Sequence, residues 1–200
     1  MSALSLTTLR GAQVLDHLDA LARLRIAVFA DWPYLYEGDL DYERAYLHAY
    51  AASPDSVVVL AVAEGTVVGA TTGLPLLDDA PAFRAPFASA GRDPAQVFYL
   101  GESVVLPAWR GRGLGHAFFD AREAHARRLG RFRLTAFCAV QRDASDPRRP
   151  AGHRDNDRFW TGRGYQAQPE MAVQLAWNER GRGSCEHALT FWTRPLEAAA

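Results

Sequence analysis

Val104-Val105-Leu106-Pro107-Ala108-Trp109-Arg110-Gly111-Arg112-Gly113-Leu114-Gly115 joins an apolar strand to an amphipathic helix, and its chemistry conflicts with an ordinary helix start. The first N–H groups of a helix have no partner within it and carry a partial positive charge. Ser, Thr, Asp or Asn therefore usually caps them, and acidic residues gather in the first turn. Here two arginines and three glycines stand instead, so guanidinium groups crowd a positive helix mouth. A phosphate resolves the conflict, because glycines let backbone N–H groups approach its oxygens and arginine adds charge-assisted bonds. A nucleoside-triphosphate loop would need Gly-Lys followed by Ser or Thr, and the dinucleotide fingerprint would need Gly or Ala where His116 stands. The segment reads as a cradle for a diphosphate.

Outward from the cradle, Val97 to Val105 reads as one strand, His116 to Leu129 as a helix and Phe132 to Val140 as a further strand. Upstream, Leu4 to Arg10 alternates as a strand. Leu15, Leu18, Leu21, Leu24 and Val28 then recur every three or four residues as one face of a helix. Asp31 to Asp39 is too rich in turn formers to continue it. Asp39 or Asp41 can cap a second helix bearing Tyr42, Tyr46 and Tyr50, read as packing residues. Ser56 to Ala63 and Thr66 to Leu74 are β-branched runs about the Glu64-Gly65 turn, hence a hairpin. Pro75 to Pro94 is an excursion holding a short helix. Gln141 to Gly152 is a loop, a short helix covers about 155–161, and strands run near Met171 to Trp177 and His187 to Leu196.

A chain of 200 residues, 48% hydrophobic, suits one domain spanning 1–200. Its formal charge of -1 draws it neither to nucleic acid nor to an anionic membrane. The arginines at 110, 112, 127, 128, 131 and 133 could form a nucleic-acid patch, but no interleaved aromatic motif accompanies them. Cys138 and Cys185 have neither disulfide nor metal-ligand spacing, no histidine pair suits a metal, and a reducing, cytoplasmic setting fits. Met1 to Thr8 lacks a basic leader, and no apolar run is long enough to span a bilayer.

The cradle resembles that of the GNAT superfamily of N-acetyltransferases, whose signature is Arg or Gln, two residues, Gly, one residue, then Gly or Ala. Arg110, Gly113 and Gly115 match it, and Val105, Pro107 and Trp109 match the usual flanks. Phe159-Trp160-Thr161-Gly162-Arg163-Gly164-Tyr165 is similar to a second, weaker family feature, an aromatic, three residues, then Gly-Phe or Gly-Tyr. The order of elements also looks like the family's over most of the chain. The resemblance implies an α/β fold with a central, mostly antiparallel mixed sheet, flanking helices and splayed fourth and fifth strands. It implies acetyl-CoA as cosubstrate, with Arg110, Gly111, Arg112, Gly113, Leu114 and Gly115 on the pyrophosphate and Val104 and Val105 on pantetheine.

The reaction implied is direct transfer of an acetyl group to a primary amine, with a small molecule favoured over a protein acceptor. An alkylamine is almost wholly ammonium at neutral pH, and removing its proton costs about 4 kcal/mol, so a base helps. Glu102 is the candidate, a carboxylate in an apolar strand on the same face as Val104. The competing reading is a carboxylate merely paired with an arginine. Trp160 stands where the family usually has an acidic tyrosine, and an indole cannot serve. Tyr99, His153, Cys138 or water are the remaining candidates for the acid, and a covalent acyl-cysteine is a minor alternative. Trp32, Tyr34 and Tyr36, with Glu37 and Asp39, lie in the loop that borders the acceptor in many similar enzymes. Similar enzymes are frequently homodimers. The Trp160 departure keeps a catalytically silent CoA-binding module as the rival reading.

Overall fold

The computed structural model describes residues 4–197; Met1 to Ala3, part of the leader reading, lie outside it. The chain begins with β1 (Leu4–Leu9), a 3-10 turn over Gly11–His17, α1 (Leu18–Phe29) and α2 (Leu40–Ala52). Leu15, expected on the buried face of the first helix, falls in that 3-10 turn and is exposed, because its pitch shifts the face. Asp39 caps α2 by accepting from the Tyr42 N–H at 2.8 Å. The hairpin follows as β2 (Val57–Ala63) and β3 (Thr66–Pro75), and the excursion contains α3 (Pro81–Ser89). Its Phe87 is fully buried against Phe191, which anchors the excursion to the sheet.

After the excursion come β4 (Val97–Tyr99), β5 (Ser103–Val105), α4 (Leu114–Leu129), β6 (Leu134–Val140), α5 (Asp157–Gly162), β7 (Gln166–Glu179) and β8 (Gly183–Pro195). The sheet order is β1-β2-β3-β4-β6-β8-β7 with β5 also on β3, and only the β4–β6 pairing is parallel. β7 begins earlier than its apolar pattern indicated, because a register shift between Gln168 and Ala172 interrupts the alternation.

The sheet is covered on both faces, which is why β2 reads as a continuous apolar run. Val58 and Leu60 belong to the core shared with α1 and α2; Val57, Val59 and Ala61 belong to the core shared with α4. Each fully buried Phe, such as Phe98 or Phe118, contributes roughly 1.5–3 kcal/mol.

One expected strand is two. Residues 97–105 do not run straight: β4 pairs with β6, whereas β5 pairs only with β3. The last tie across the gap is Leu100 N–H to Ala136 O at 2.7 Å. Beyond it the sheet forks, β5 staying with β3 and β6 continuing beside β8. Glu102 therefore lies in the break and not within a strand.

Candidate active site

A groove of about 1270 Å³ runs through the fork. Phe118, Phe119 and Trp160 line it on the α4 side, and Val28, Phe29, Tyr34 and Cys138 line it on the α1 side. The fork thus joins the two faces of the sheet, and Glu102 and Ser103 stand at the junction.

At one end is the arginine-glycine turn. Gly113 is the N-cap of α4 with φ 82°, Gly111 has φ 73°, and the first turn holds no acid. Positive φ favours glycine at both places. The backbone N–H groups of Gly111 to His116 have no partner among the described residues, so the helix mouth presents a row of free donors. A Cβ on Gly115 would lie 3.2 Å from the Phe159 ring, so this glycine lets α5 approach α4. Arg110, Gly111, Gly113, Leu114 and Gly115 line the groove. Arg112 does not: its guanidinium lies 4.4 Å over the Trp109 ring and donates to Ala108 O at 3.3 Å. Arg110 donates to Val105 O at 3.1 Å.

Ladder alternation divides β5. Thr72 N–H donates to Glu102 O and Leu106 N–H to Val68 O, so Val104 also turns its backbone groups toward β3. Ser103 and Val105 turn theirs into the fork. Val104, expected on pantetheine, has its backbone engaged with β3 and its side chain fully buried. On the opposite bank Gln141 N–H donates to Ala188 O, so by the same alternation Cys138 and Val140 face the fork.

Glu102 is bound on its inner side. Arg25 Nη1 stands 2.5 Å from its Oε1, and Tyr46 donates to its Oε2 at 3.1 Å. Arg25 is also paired with buried Glu43, so two carboxylates share one guanidinium. Arg122, only 2% exposed, donates to Glu102 O and Thr72 O at 3.2 and 3.3 Å and to Ser103 Oγ at 3.0 Å. Burial pulls its guanidinium down to about 10. It pins the carbonyls that border the break.

At the far end Trp32 and Tyr34 line the groove, but Tyr36 does not. Tyr36 is turned inward, 9% exposed, and its N–H donates to Phe29 O at 2.8 Å. Glu37 and Asp39 lie off the groove as well. Arg142 fixes this wall, donating to Pro33 O at 2.6 Å, to Tyr34 O at 3.0 Å and to fully buried Glu179 at 2.8 Å. Trp160 packs against Phe137 and Trp192 as an apolar wall. His153 also lines the groove, edge-on to Trp32, whereas Tyr99 lies behind it and reaches Cys138 Sγ at 3.0 Å. Burial pushes the Cys138 thiol up to about 12.

Arg25, Glu43, Tyr46, Tyr50, Arg122, Arg142 and Glu179 were not singled out as site residues by sequence reasoning. Among the described residues no group of three or more His, Cys, Asp or Glu is placed to hold a metal, and no helix is long and apolar enough to cross a membrane.

Comparison with solved structures gives the same fold. An N-acetyltransferase from Staphylococcus aureus Mu50 superposes with TM-score 0.63 at 12% identity, over 98% of this chain and 100% of that one. A GCN5-related N-acetyltransferase from Kribbella flavida gives 0.59 at 20%, over 97% and 98%. The yncA protein from Salmonella typhimurium, solved with its cofactor acetyl-CoA, gives 0.58 at 17%, over 99% and 96%. No curated protein matches the chain by sequence. The sequence model described as the acetyltransferase (GNAT) family matches residues 23–148, from the α1 helix through the fork and cradle into the loop after β6. The chain belongs to the acetyltransferase (GNAT) family, transferases that use acetyl-CoA.

Proposed function

We propose that the protein transfers the acetyl group of acetyl-CoA to the primary amine of a small molecule, by direct attack with both substrates bound, and that Glu102 takes the ammonium proton directly or through a water. The observation that carries this reading is the position of Glu102. It stands at the fork, between the row of free N–H groups at α4 and the Trp32–Tyr34 wall, and borders the groove that connects them.

The residues present fit acetyl-CoA. The free donors from Gly111 to His116 suit the pyrophosphate, with Arg110 beside them. The Ser103 and Val105 backbone suits the amides of pantetheine. Acetyl-CoA supplies the activated acyl group; the chain supplies orientation and a base. Glu102, paired with Arg25 and bordering the groove, is a carboxylate that an approaching ammonium can meet. Trp160 offers no proton, but a thiol of ordinary acidity leaves as thiolate at small cost near neutral pH.

The test is thiol release from acetyl-CoA across a panel of primary amines, wild type against Glu102→Gln. Loss of a general base lowers kcat by about 10²–10⁴-fold, with the KM for acetyl-CoA little changed. Activity of the variant within twofold of wild type would refute the assignment of Glu102. Tight CoA binding with no turnover on any amine would instead make the protein a silent CoA-binding module.

A further inference from the structure

Tyr46 and Tyr50, one helical turn apart on α2, read from the sequence as packing residues, but their phenol oxygens converge on the break in the sheet. Tyr46 OH lies 3.1 Å from Glu102 Oε2 and 3.0 Å from Tyr50 OH. Tyr50 interacts in turn with the Thr72 hydroxyl, which accepts the backbone N–H of Glu102 at 3.2 Å. We propose that Tyr46 and Tyr50 are positioning residues for Glu102, forming with Thr72 a hydrogen-bonded ring that starts at its backbone N–H and ends on its carboxylate. This inference rests on the assignment of Glu102 as the base.

The direction of the ring follows from its two ends. A backbone N–H can only donate, so the Thr72 oxygen accepts from it and keeps its own proton for Tyr50. An ionised carboxylate can only accept, so Tyr46 donates to it and must receive the proton of Tyr50. Every O–H therefore points toward Glu102, and bonds in such a chain polarise one another. Burial, with the Glu102 charge adding to it, holds both phenols well above their ordinary range, so they remain donors wherever an enzyme of this kind works.

Gly101 is part of the device. A Cβ on it would lie 2.1 Å from Tyr50 OH and 2.5 Å from Thr72 Oγ1, so the ring closes only over a residue without a side chain. The inner oxygens of Glu102 are thereby taken by Arg25 and Tyr46, and its side chain is held where it borders the groove. The charged and titratable groups around it are Arg25 on α1, Glu43 through Arg25, Tyr34 in the loop after α1, Tyr46 and Tyr50 on α2, Asp79 after β3 and Arg122 on α4.

The test compares Tyr46→Phe, Tyr50→Phe and Glu102→Gln in the full chain. Two readouts are used: acetyl-CoA turnover with tyramine, putrescine or water as acceptor, and the infrared carboxyl band that Glu102→Gln removes, titrated without cosubstrate. Tyr46→Phe is expected to lower kcat about 10-fold and Tyr50→Phe about 3-fold, with KM for acetyl-CoA and CoA affinity within twofold. Tyr46→Phe removes a donor to the carboxylate, so the carboxyl band and the acid limb of the kcat/KM profile are both expected to differ from wild type, displaced to higher pH. Should Tyr46→Phe fold poorly, Tyr50→Phe carries the same sign at smaller size. Wild-type kcat and an unmoved carboxyl band in the phenylalanine variants, with Glu102→Gln inactive, would overturn the ring alone. Full activity of Glu102→Gln, or no turnover with any acceptor, would overturn the assignment beneath it.

Discussion

Replacing Gly113 separates the folding role of the cradle from its binding role. Gly113 caps α4 with φ 82° and ψ -3°, and nothing lies within 4 Å of the position a Cβ would take. An alanine there meets no protein atom; its cost to the fold is the left-handed backbone alone. That is on the order of 1 kcal/mol, or about 2–4 °C in melting temperature for a chain of this size. Asparagine tolerates the same backbone and should cost only a fraction of this. Both side chains project into space beside the groove, where the unpaired N–H groups face a phosphate on the proposed reading. Losing one charge-assisted hydrogen bond there costs about 1.5–3 kcal/mol, roughly a 10- to 150-fold rise in the Kd of CoA. Calorimetry with CoA, run beside thermal melts, distinguishes the two effects: Gly113→Ala should lose both stability and affinity, and Gly113→Asn chiefly affinity. If both variants bound CoA within twofold of wild type, the argument for a diphosphate at this helix mouth would fail.

Two further outcomes follow from titratable groups near the fork. With its thiol pushed up to about 12, Cys138 is almost entirely protonated at neutral pH and a poor nucleophile. Cys138→Ala should keep kcat within about threefold, and intact-protein mass spectrometry after acetyl-CoA should show no adduct on Cys138; an acetylated cysteine together with an inactive alanine variant would restore the covalent route. Burial carries the Asp79 carboxyl from 3.8 up to about 6, with the Glu102 charge adding and the Ala80 N–H opposing. Between these values the folded chain binds more protons than the unfolded one, so stability falls as pH rises through the window and the full penalty stands above it. Asp79→Asn should raise stability by on the order of 2 kcal/mol at pH 7.5 and leave it unchanged near pH 3; an equal effect at both, measured by urea denaturation, would contradict the sign.

The legible parts of the fold were those with a local cause. The Glu64-Gly65 turn between β-branched runs fixes the β2–β3 hairpin, and the glycine-rich segment before α4 marks a helix start whose first turn holds no acid. The break at Gly101-Glu102 was not legible, because residues 97–105 have the composition of one strand. Tertiary contacts impose it: the Tyr50 phenol fills the space of a Cβ at Gly101, and Arg122 captures the carbonyls on either side. Part of the network could have been found. Arg25 shares the apolar face of Leu21 and Leu24, Glu43 lies four residues before Leu47, and Arg122 lies between Phe118 and Ala126. A charge at apolar spacing on a buried helix face implies a buried partner. Tyr34 and Tyr36 could not be told apart, since a loop has no period from which to read a face. The tie from Arg142 to Glu179 joins residues 37 apart in sequence and carries no local mark.

On the proposed reading, the fork separates the residues that bind the cosubstrate from those that serve the chemistry. In a continuous sheet the backbone of Ser103 and Val105 would pair with that of Cys138 and Val140; parted, these groups face each other across the groove, and of them the Val105 carbonyl is met by Arg110. Unmet and buried, each would cost about 1–3 kcal/mol, so an open fork is tolerable only where water or an amide-bearing ligand such as pantetheine can meet them. Arg122 helps to hold it open by occupying the carbonyls of Glu102 and Thr72. A buried guanidinium without a carboxylate bonded to it is costly, and its backbone and hydroxyl acceptors are what offset that cost. Arg122 therefore acts on the shape of the fork, which both substrates share. From the opposite face of the sheet Tyr46 reaches the carboxylate itself, and Tyr50 supports Tyr46 and fills the space beside Gly101. The same break that opens a path for a cosubstrate also exposes the backbone of Glu102 to Thr72, which closes the ring. On the proposed reading, one interruption in one strand supplies the passage, the polar banks and the orientation of the base.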